Sequence, residues 1–197
     1  MDKDLARLVG SRICHDLISP IGAISNGVEL IGMTQDTGGD EFGLINDSVD
    51  NANARIRFFR VAFGAGSHNQ MIGRNEILSI LRDCARGGRI NYFWQIDGDM
   101  LRRDARIAFL LLQCFETALP HGGNVTVSLN EDQWRFIGNG EKLKLEAELW
   151  DSITNDFSLY DHTPAQVQFA LLPEALRDAG KTLEVNVIDH QLAVTLT

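Results

Sequence analysis

The stretch FGLINDSVDNANARIRFFRVAF, residues 42–63, decides the first part of the fold. Its apolar residues recur at alternating intervals of three and four positions: Phe42, Ile45, Val49, Ala52, Ile56, Phe59 and Phe63. Such a heptad seam is typical of a long helix that packs against another helix at a shallow angle. The stretch therefore predicts one helix of a helical bundle.

The residues before this stretch carry a second seam of the same kind: Leu17, Ile21, Ile24, Val28 and Ile31. Between the seams, MTQDTGGDE (33–41) has the paired glycines and polar residues of a turn between helices. Two helices of this length cannot bury both seams by themselves. The pattern predicts a helical hairpin that forms a homodimeric four-helix bundle across a two-fold axis.

The pattern changes after the hairpin. GAGSHNQ (64–70) is typical of a hinge, so we predict one domain over residues 1–66 and a second over residues 70–197. In the second domain, helices are predicted within 74–86, 102–120 and 164–180, and strands within 89–97, 124–129, 133–138, 182–189 and 191–197. Helices mixed with antiparallel hairpins predict the α+β class, with an α/β sandwich whose helices cover one face of a sheet.

The charge of the chain limits its partners. Its 197 residues include 44% hydrophobic residues and carry a net charge of −9. This acidic balance argues against generic nucleic-acid binding, which needs a positive surface. We interpret Arg55, Arg57 and Arg60 as the solvated face of a helix.

No segment is typical of a membrane or secreted protein. The longest apolar runs, such as IAFLLLQCF (107–115), are far shorter than the roughly 20 residues that cross a bilayer. MDKDLARLVG (1–10) lacks the basic and apolar regions of a signal peptide. The cysteines form no CxxC pair and are odd in number, which argues against a disulfide framework or a zinc site: Cys14, Cys84 and Cys114. We therefore expect a cytoplasmic protein.

The motif CHDLISPIGAISNG (14–27) carries the candidate chemistry. His15 falls opposite the seam, where an exposed and unprotonated imidazole can act as a nucleophile. Asp16 can accept a hydrogen bond from the other ring nitrogen. Pro20 removes the amide that would bond to the carbonyl of Asp16 and loosens the helix there. His15 is therefore the candidate catalytic residue, with Asp16 as its orienting acid.

The helix face around His15 carries Leu8, Ser11, Arg12, Ile18, Ser19, Gly22 and Asn26, and its small residues would let another protein's backbone come close. We expect this face to be a docking surface, with Leu8 and Ile18 as exposed aliphatic side chains. Rival chemistries lack their motifs, since the chain has no GxSxG, no HExxH and no Cys/His metal spacing. The other histidines are predicted to lie singly in loops or turns: His68, His121, His162 and His190.

HDLISPI (15–21) resembles the H-box of two-component histidine kinases, whose order is His, acid, apolar, basic, Ser or Thr, Pro and apolar. Six of the seven positions agree, and Ile18 replaces the usual basic residue. In that family the H-box lies on the first helix of a dimeric hairpin, and its histidine carries a phosphoryl group. The predicted hairpin supplies the same setting.

The second domain resembles a degenerate ATP-binding domain of the Bergerat type. LLLQCFETALPHGGNVTVSL (110–129) is similar to its N-box helix and following strand, but Gln113 and Thr117 stand where Mg²⁺- and phosphate-binding asparagines are expected. FIGNGEKL (136–143) is the nearest remnant of the DxGxG motif and lacks its aspartate. The resemblance thus implies a domain that does not bind ATP.

This combination resembles the ChpT-like histidine phosphotransferases of alphaproteobacteria. The resemblance implies that His15 accepts a phosphoryl group from the receiver domain of a hybrid histidine kinase and passes it to the aspartate of a response regulator. It also implies that the docking surface binds receivers, that Mg²⁺ comes from the receiver, and that the chain has no cofactor or metal of its own. Two alternatives stay open: a histidine kinase with a diverged ATP site, and a non-catalytic dimeric scaffold that binds receivers.

Overall fold

Two long helices open the chain in the structure, a computed structural model. Helix α1 spans Lys3–Met33 and helix α2 spans Asp40–Ala62, and the two pack against each other as the predicted hairpin. One heptad row of each helix is half-buried inside the hairpin, represented by Leu17 and Ile24 on α1 and by Ile45 on α2. Pro20 lies within α1 and is buried without ending the helix.

The structure describes residues 3–33, 40–64, 69–154, 161–188 and 191–197. Most of the predicted hairpin turn and of the predicted hinge, together with His68 and His190, lies outside the described residues. Among the helices of the described residues, none is long and apolar enough to cross a membrane.

The rest of the chain alternates short strands and helices. In chain order these are β1 Met71–Ile72, α3 Arg74–Arg86, β2 Ile90–Trp94, β3 Met100–Leu101, α4 Arg102–Ala118, β4 Gly123–Asn130, β5 Gln133–Asn139, α5 Ala147–Thr154, a 3₁₀ turn Pro164–Gln166, α6 Val167–Ala179, β6 Leu183–Ile188 and β7 Gln191–Leu196. β1 pairs with β3, and the other five strands form one sheet in the order β2-β4-β5-β7-β6.

One face of this sheet forms the core together with α4. Alternate residues along the central strands are buried, such as Val125, Val127 and Val194. Phe115 of α4 stacks on Phe136 of β5 with ring centroids 6.4 Å apart. Since helices pack on one buried face of a mostly antiparallel sheet, the predicted α+β class is confirmed.

The sequence prediction of the second domain differs from the structure in three places. The sheet is mixed rather than wholly antiparallel, because β2 runs parallel to β4. Helix α5 forms where the sequence predicts no helix. Helix α4 ends at Ala118 rather than at residue 120, since Leu119 precedes Pro120 and the residue before proline disfavours helical geometry.

The start of α1 and the end of α2, which together form the open end of the hairpin, pack into the second domain. Phe58 and Phe59 at the end of α2 are buried, and the Phe58 ring lies 4.7 Å from that of Phe109 in α4. At the start of α1, Leu5 and Val9 pack against the same core. The predicted division near residue 66 therefore falls between α2 and β1, while the core continues across it.

Replacing Phe58 by alanine is expected to lower the free energy of unfolding by about 3–5 kcal/mol, because a fully buried ring is lost and a cavity remains. Chemical denaturation followed by circular dichroism measures the loss. The matched control is Phe93→Ala: Phe93 is half-exposed on edge strand β2, and its removal is expected to cost about 1 kcal/mol or less. Equal losses for the two variants would contradict the packing of α2 on α4.

Candidate functional site

His15 lies on α1 at the rim of a cleft between the hairpin and the second domain. Its side chain is 81% exposed, and the cleft has a volume of about 880 Å³. One wall of the cleft comes from α1 and α2, and the other from α3 and α4. An imidazole in this position is accessible to another protein.

Asp16 contacts the imidazole ring directly. Its Oδ1 lies 3.1 Å from His15 Nδ1, while its side chain is only 14% exposed. Consecutive residues of a helix point about 100° apart, yet the two side chains still meet. A carboxylate oxygen can only accept a hydrogen bond, so this contact requires the proton on Nδ1 and leaves the lone pair of Nε2 free.

The side chain of Arg12 is largely buried, whereas the sequence predicted an exposed position. Its side chain is 12% exposed, and its Nε donates to Asp16 Oδ2 at 2.9 Å. A second guanidinium nitrogen, Nη1, donates to the carbonyl oxygen of Ala165 at 2.7 Å. The expectation of exposure is wrong for Arg12 because the 3₁₀ turn of the second domain packs against this side of α1.

The other residues of the predicted docking surface divide into two groups. Five are exposed around His15: Ser11, Ile18, Ser19, Gly22 and Asn26. Ile18 is 68% exposed, and a Cβ added at Gly22 would meet no atom within 4 Å. Leu8 was expected to be exposed, and this is wrong: it packs against the hydrophobic core where α1 lies on the second domain.

A network of charged and polar side chains lies at the floor of the cleft. Arg55 Nη1 is 3.5 Å from both carboxylate oxygens of Glu116, and the Tyr92 hydroxyl donates to Glu116 at 2.6 Å. Burial lowers the pKa of Arg55, but the Glu116 carboxylate acting together with Cys84, Tyr92 and Asp16 outweighs it, so that pKa is raised above its ordinary value. Burial, and then Glu116, raises the pKa of Tyr92 well above its usual range. Arg55 therefore stays charged and Tyr92 stays neutral near pH 7.

The interpretation of Arg55 and Arg57 as a solvated helix face is wrong. Arg55 is paired with Glu116, and Arg57 donates to Asp83 at 3.0 Å and to Ser79 at 3.2 Å in α3. Nothing in the sequence signals these contacts, because Arg55 and Glu116 are 61 residues apart in the chain. The contact between Arg12 and Ala165 is likewise not signalled by the sequence, because these residues are 153 positions apart.

Helix α6 covers the positions where the sequence suggested a nucleotide site. Gln113 is buried, and Gln168 of α6, also buried, donates from Nε2 to Thr117 Oγ1 at 3.0 Å. The Thr117 hydroxyl donates in turn to the main-chain carbonyl of Gln113 at 3.2 Å. The side-chain nitrogen and oxygen of Gln113 find no hydrogen-bond partner among the described residues. These positions thus belong to the domain core.

Cys84 and Cys114 are buried and do not form part of the site around His15. Burial raises the pKa of Cys84 to about 12, and it raises that of Cys114 well above the ordinary thiol value. Neither thiol is a ready nucleophile, since the thiolate is the reactive form. Within the described ranges, no group of three or more His, Cys, Asp and Glu side chains is arranged to hold a metal ion. His162 lies 3.2 Å from the Ser152 hydroxyl.

Known proteins are similar to this chain in both sequence and fold. A family model described as the histidine phosphotransferase C-terminal domain matches residues 74–191, more than half of the chain. The protein phosphotransferase ChpT of Brucella abortus (strain 2308) is 37% identical over 140 residues, which span 68% of this chain and 66% of that protein. The alignment thus covers slightly less than two thirds of the Brucella protein.

One solved structure is similar to this chain over its whole length. A bacterial phosphotransferase solved at 1.7 Å superposes with a TM-score of 0.83 at 26% identity, over 100% of this chain and 98% of that one. The histidine kinase domain of the blue-light activated kinase of Erythrobacter litoralis EL346 is more distant, with a TM-score of 0.45 at 16% identity over 98% and 91% of the two chains. The family match and the whole-chain superposition confirm the resemblance noted in the sequence: the chain belongs to the histidine phosphotransferase family.

Proposed function

We propose that the chain is a histidine phosphotransferase of a two-component phosphorelay. His15 takes a phosphoryl group from the aspartate of a phosphorylated receiver, such as that of a hybrid histidine kinase, and passes it to the aspartate of a response regulator. The observation that carries this proposal is the exposed His15 imidazole with its Nδ1 held 3.1 Å from Asp16. Family membership supports the same reading.

The transfer needs little from the chain beyond a correctly presented nitrogen. Nε2 attacks the phosphorus of the acyl phosphate, so an N–P bond forms while the bond from phosphorus to the carboxylate oxygen breaks. The proton stays on Nδ1, where Asp16 offsets the positive charge that develops on the ring. The second transfer reverses these steps with a new carboxylate. Phosphoryl transfer depends mainly on positioning and charge neutralisation, which suits such a small site.

The receiver supplies what the chain does not. Mg²⁺ carried by the receiver would neutralise charge on the phosphoryl oxygens. The five exposed residues Ser11, Ile18, Ser19, Gly22 and Asn26 form the proposed receiver-docking surface, with Ile18 as its apolar contact. Gly22 leaves room for close approach of a partner backbone. Such a relay operates in the cytoplasm, where we place the protein.

Incubation with a phosphorylated receiver is expected to transfer label to the wild-type chain and none to His15→Ala, since no other group replaces the Nε2 nucleophile. The label on wild type should be labile in acid and stable in base, as expected for a phosphohistidine. Autoradiography of the separated chains measures the transfer.

The matched control for this experiment is His121→Ala, because His121 is also exposed but lies in a loop of the second domain. It is expected to take up label like the wild type. Label that persists on His15→Ala would contradict the assignment of His15. A wild-type chain that binds the receiver but takes up no label would instead favour the scaffold alternative.

The kinase alternative makes a different prediction. Because α6 covers Gln113 and Thr117, we expect no label on the purified chain from ATP and Mg²⁺ alone. The same preparation given the phosphorylated receiver provides the positive control. Label from ATP that is lost in His15→Ala would show autophosphorylation and would overturn this part of the proposal.

A homodimer follows from the apolar surface of the hairpin. The heptad row next to the packed one is exposed on both helices, with large side chains spaced seven residues apart: Ile21 and Val28 on α1, and Phe42, Val49 and Ile56 on α2. Because α1 and α2 are neighbours, the two rows lie side by side as one stripe. A second copy would cover this stripe with its own and complete a four-helix bundle.

Replacing Val49 by glutamate is expected to convert the dimer into monomers, because burying an unpaired carboxylate in the seam is strongly unfavourable. Sedimentation velocity measures the mass, which for wild type should be twice the 21.9 kDa of one chain. The control is Leu44→Glu: Leu44 is also exposed on α2 but faces away from the stripe, so this variant should stay dimeric. A monomeric wild type at micromolar concentration would refute the bundle.

A further inference from the structure

We propose that Arg12 is a positioning residue for phosphoryl transfer, which fixes the His15 tautomer through Asp16 and ties it to the second domain through Ala165. This inference rests on the proposed function, but its central measurement does not require phosphoryl transfer. It gives Arg12 a different role from the receiver contact that the sequence suggested.

The first step is the division of the Asp16 carboxylate between two partners. Oδ2 accepts from Arg12 Nε at 2.9 Å, and Oδ1 faces His15 Nδ1 at 3.1 Å. Arg12 thereby fixes the rotation of the carboxylate and leaves Oδ1 aimed at the ring. Arg12 and Asp16 have side chains only 12% and 14% exposed, so water competes weakly for these bonds.

The second step is the consequence for the imidazole. A free neutral imidazole favours the proton on Nε2, which would block the nitrogen that reaches solvent. An acceptor held at Nδ1 reverses this preference, since the hydrogen bond on one ring nitrogen decides which nitrogen carries the proton. His15 is otherwise 81% exposed, and the contact with Asp16 restricts its ring.

The stability of helix α1 does not explain the Arg12–Asp16 pair. An acid that precedes a base by four residues stabilises a helix more than the reverse order, and here the base comes first. The same helix also contains an ordinary surface pair, Arg7 with Asp4, at 3.8 Å and more than four-fifths exposed. The Arg12 pair is shorter and shielded, and it continues into a second contact.

That second contact anchors the arginine outside its own helix. Nη1 of Arg12 donates to Ala165, whose 3₁₀ turn is fixed by a capping box between Thr163 and Gln166. The Thr163 amide donates to Gln166 Oε1 at 3.1 Å, and the Thr163 hydroxyl lies 2.9 Å from the same oxygen. The turn that contains Ala165 thus fixes the position of the Arg12 guanidinium. The guanidinium fixes the Asp16 carboxylate, and the carboxylate orients the His15 ring.

The fork of the guanidinium is suited to this bridge. Its planar nitrogens can donate to a carbonyl and to a carboxylate at the same time, whereas a lysine ammonium is a single point charge on a flexible stem. Lysine at position 12 should therefore restore the charge beside Asp16 without restoring both contacts. Arg12→Lys is the conservative variant that separates charge from geometry.

Nitrogen-15 NMR of the histidine-labelled full-length chain reads the tautomer of His15, with the signals assigned by their loss in His15→Ala. In wild type we expect the Nδ1–H form to dominate. We expect Arg12→Ala and Arg12→Gln to shift His15 towards the Nε2–H form, and Arg12→Lys to give an intermediate shift. Arg7→Ala, which removes the exposed pair on the same helix, should leave the tautomer of wild type unchanged.

A second control separates the relay from the attachment of the hairpin. Arg57 ties α2 to Asp83 and Ser79 of α3 without contacting Asp16. Arg57→Ala should therefore leave the His15 tautomer as in wild type. The same shift in Arg57→Ala as in Arg12→Ala would mean that loosening the hairpin is the cause, and would overturn the direct relay.

Transfer kinetics provide the functional readout. At saturating phosphorylated receiver, the single-turnover rate of Arg12→Ala is expected to fall roughly tenfold, by analogy with the loss seen when the hydrogen-bond partner of a metal-ligating histidine is removed. The dissociation constant for the unphosphorylated receiver should change less than twofold. A weaker dissociation constant with an unchanged saturating rate would make Arg12 a receiver contact and refute the positioning role.

Wild type alone can also decide the inference. If its His15 is mainly in the Nε2–H form, the relay is overturned whether or not the Arg12 variants fold. If wild type shows the Nδ1–H form but no phosphoryl transfer, the proposed function fails while the relay stands. The two ideas therefore fail through different measurements.

Discussion

The rest of the structure depends on one constraint: the start of α1 and the end of α2 are buried against the second domain. Phe58 and Phe59 bring the end of α2 into the core, and Leu5 and Val9 bring in the start of α1. This packing creates the cleft and places His15 at its rim. The apolar row of the hairpin that includes Val28 and Val49 stays exposed, and it is the surface proposed above for a second copy of the chain.

Charge pairing within the cleft limits the number of arginine donors that are free to bind an anion there. Its lining includes five arginines and five carboxylates, and the arginines at 55 and 57 are bound to acids across it. An unpaired arginine cluster would attract anions, whereas paired arginines spend their donors on protein carboxylates. The phosphoryl group is therefore expected to remain on the exposed Nε2 of His15, where a second receiver can reach it.

Sequence periodicity predicted the elements, but it could not predict contacts between distant parts of the chain. The heptad spacing around Val49 reports which side of a helix is apolar, and the residue types around His15 report the motif. Neither pattern shows that the part of α1 before the motif packs against the second domain. Leu8 and Arg12 were therefore expected to be exposed. The Arg12–Ala165 contact joins residues 153 apart, a distance at which no local pattern carries information.

Gln113 and Thr117, where the sequence suggested a nucleotide site, belong to the core of the second domain. The contacts of this domain with α1 and α2 indicate a structural role for it. Removing the domain would expose the rings of Phe58 and Phe59 and leave Arg12 without the carbonyl that holds it. Gln113 is buried, and its side-chain polar atoms have no hydrogen-bond partner within the described part of the chain, a cost of roughly 1–3 kcal/mol that an apolar side chain of the same shape would avoid. The contacts that the structure shows between the two domains thus make the second domain a support that holds the hairpin and, with it, His15.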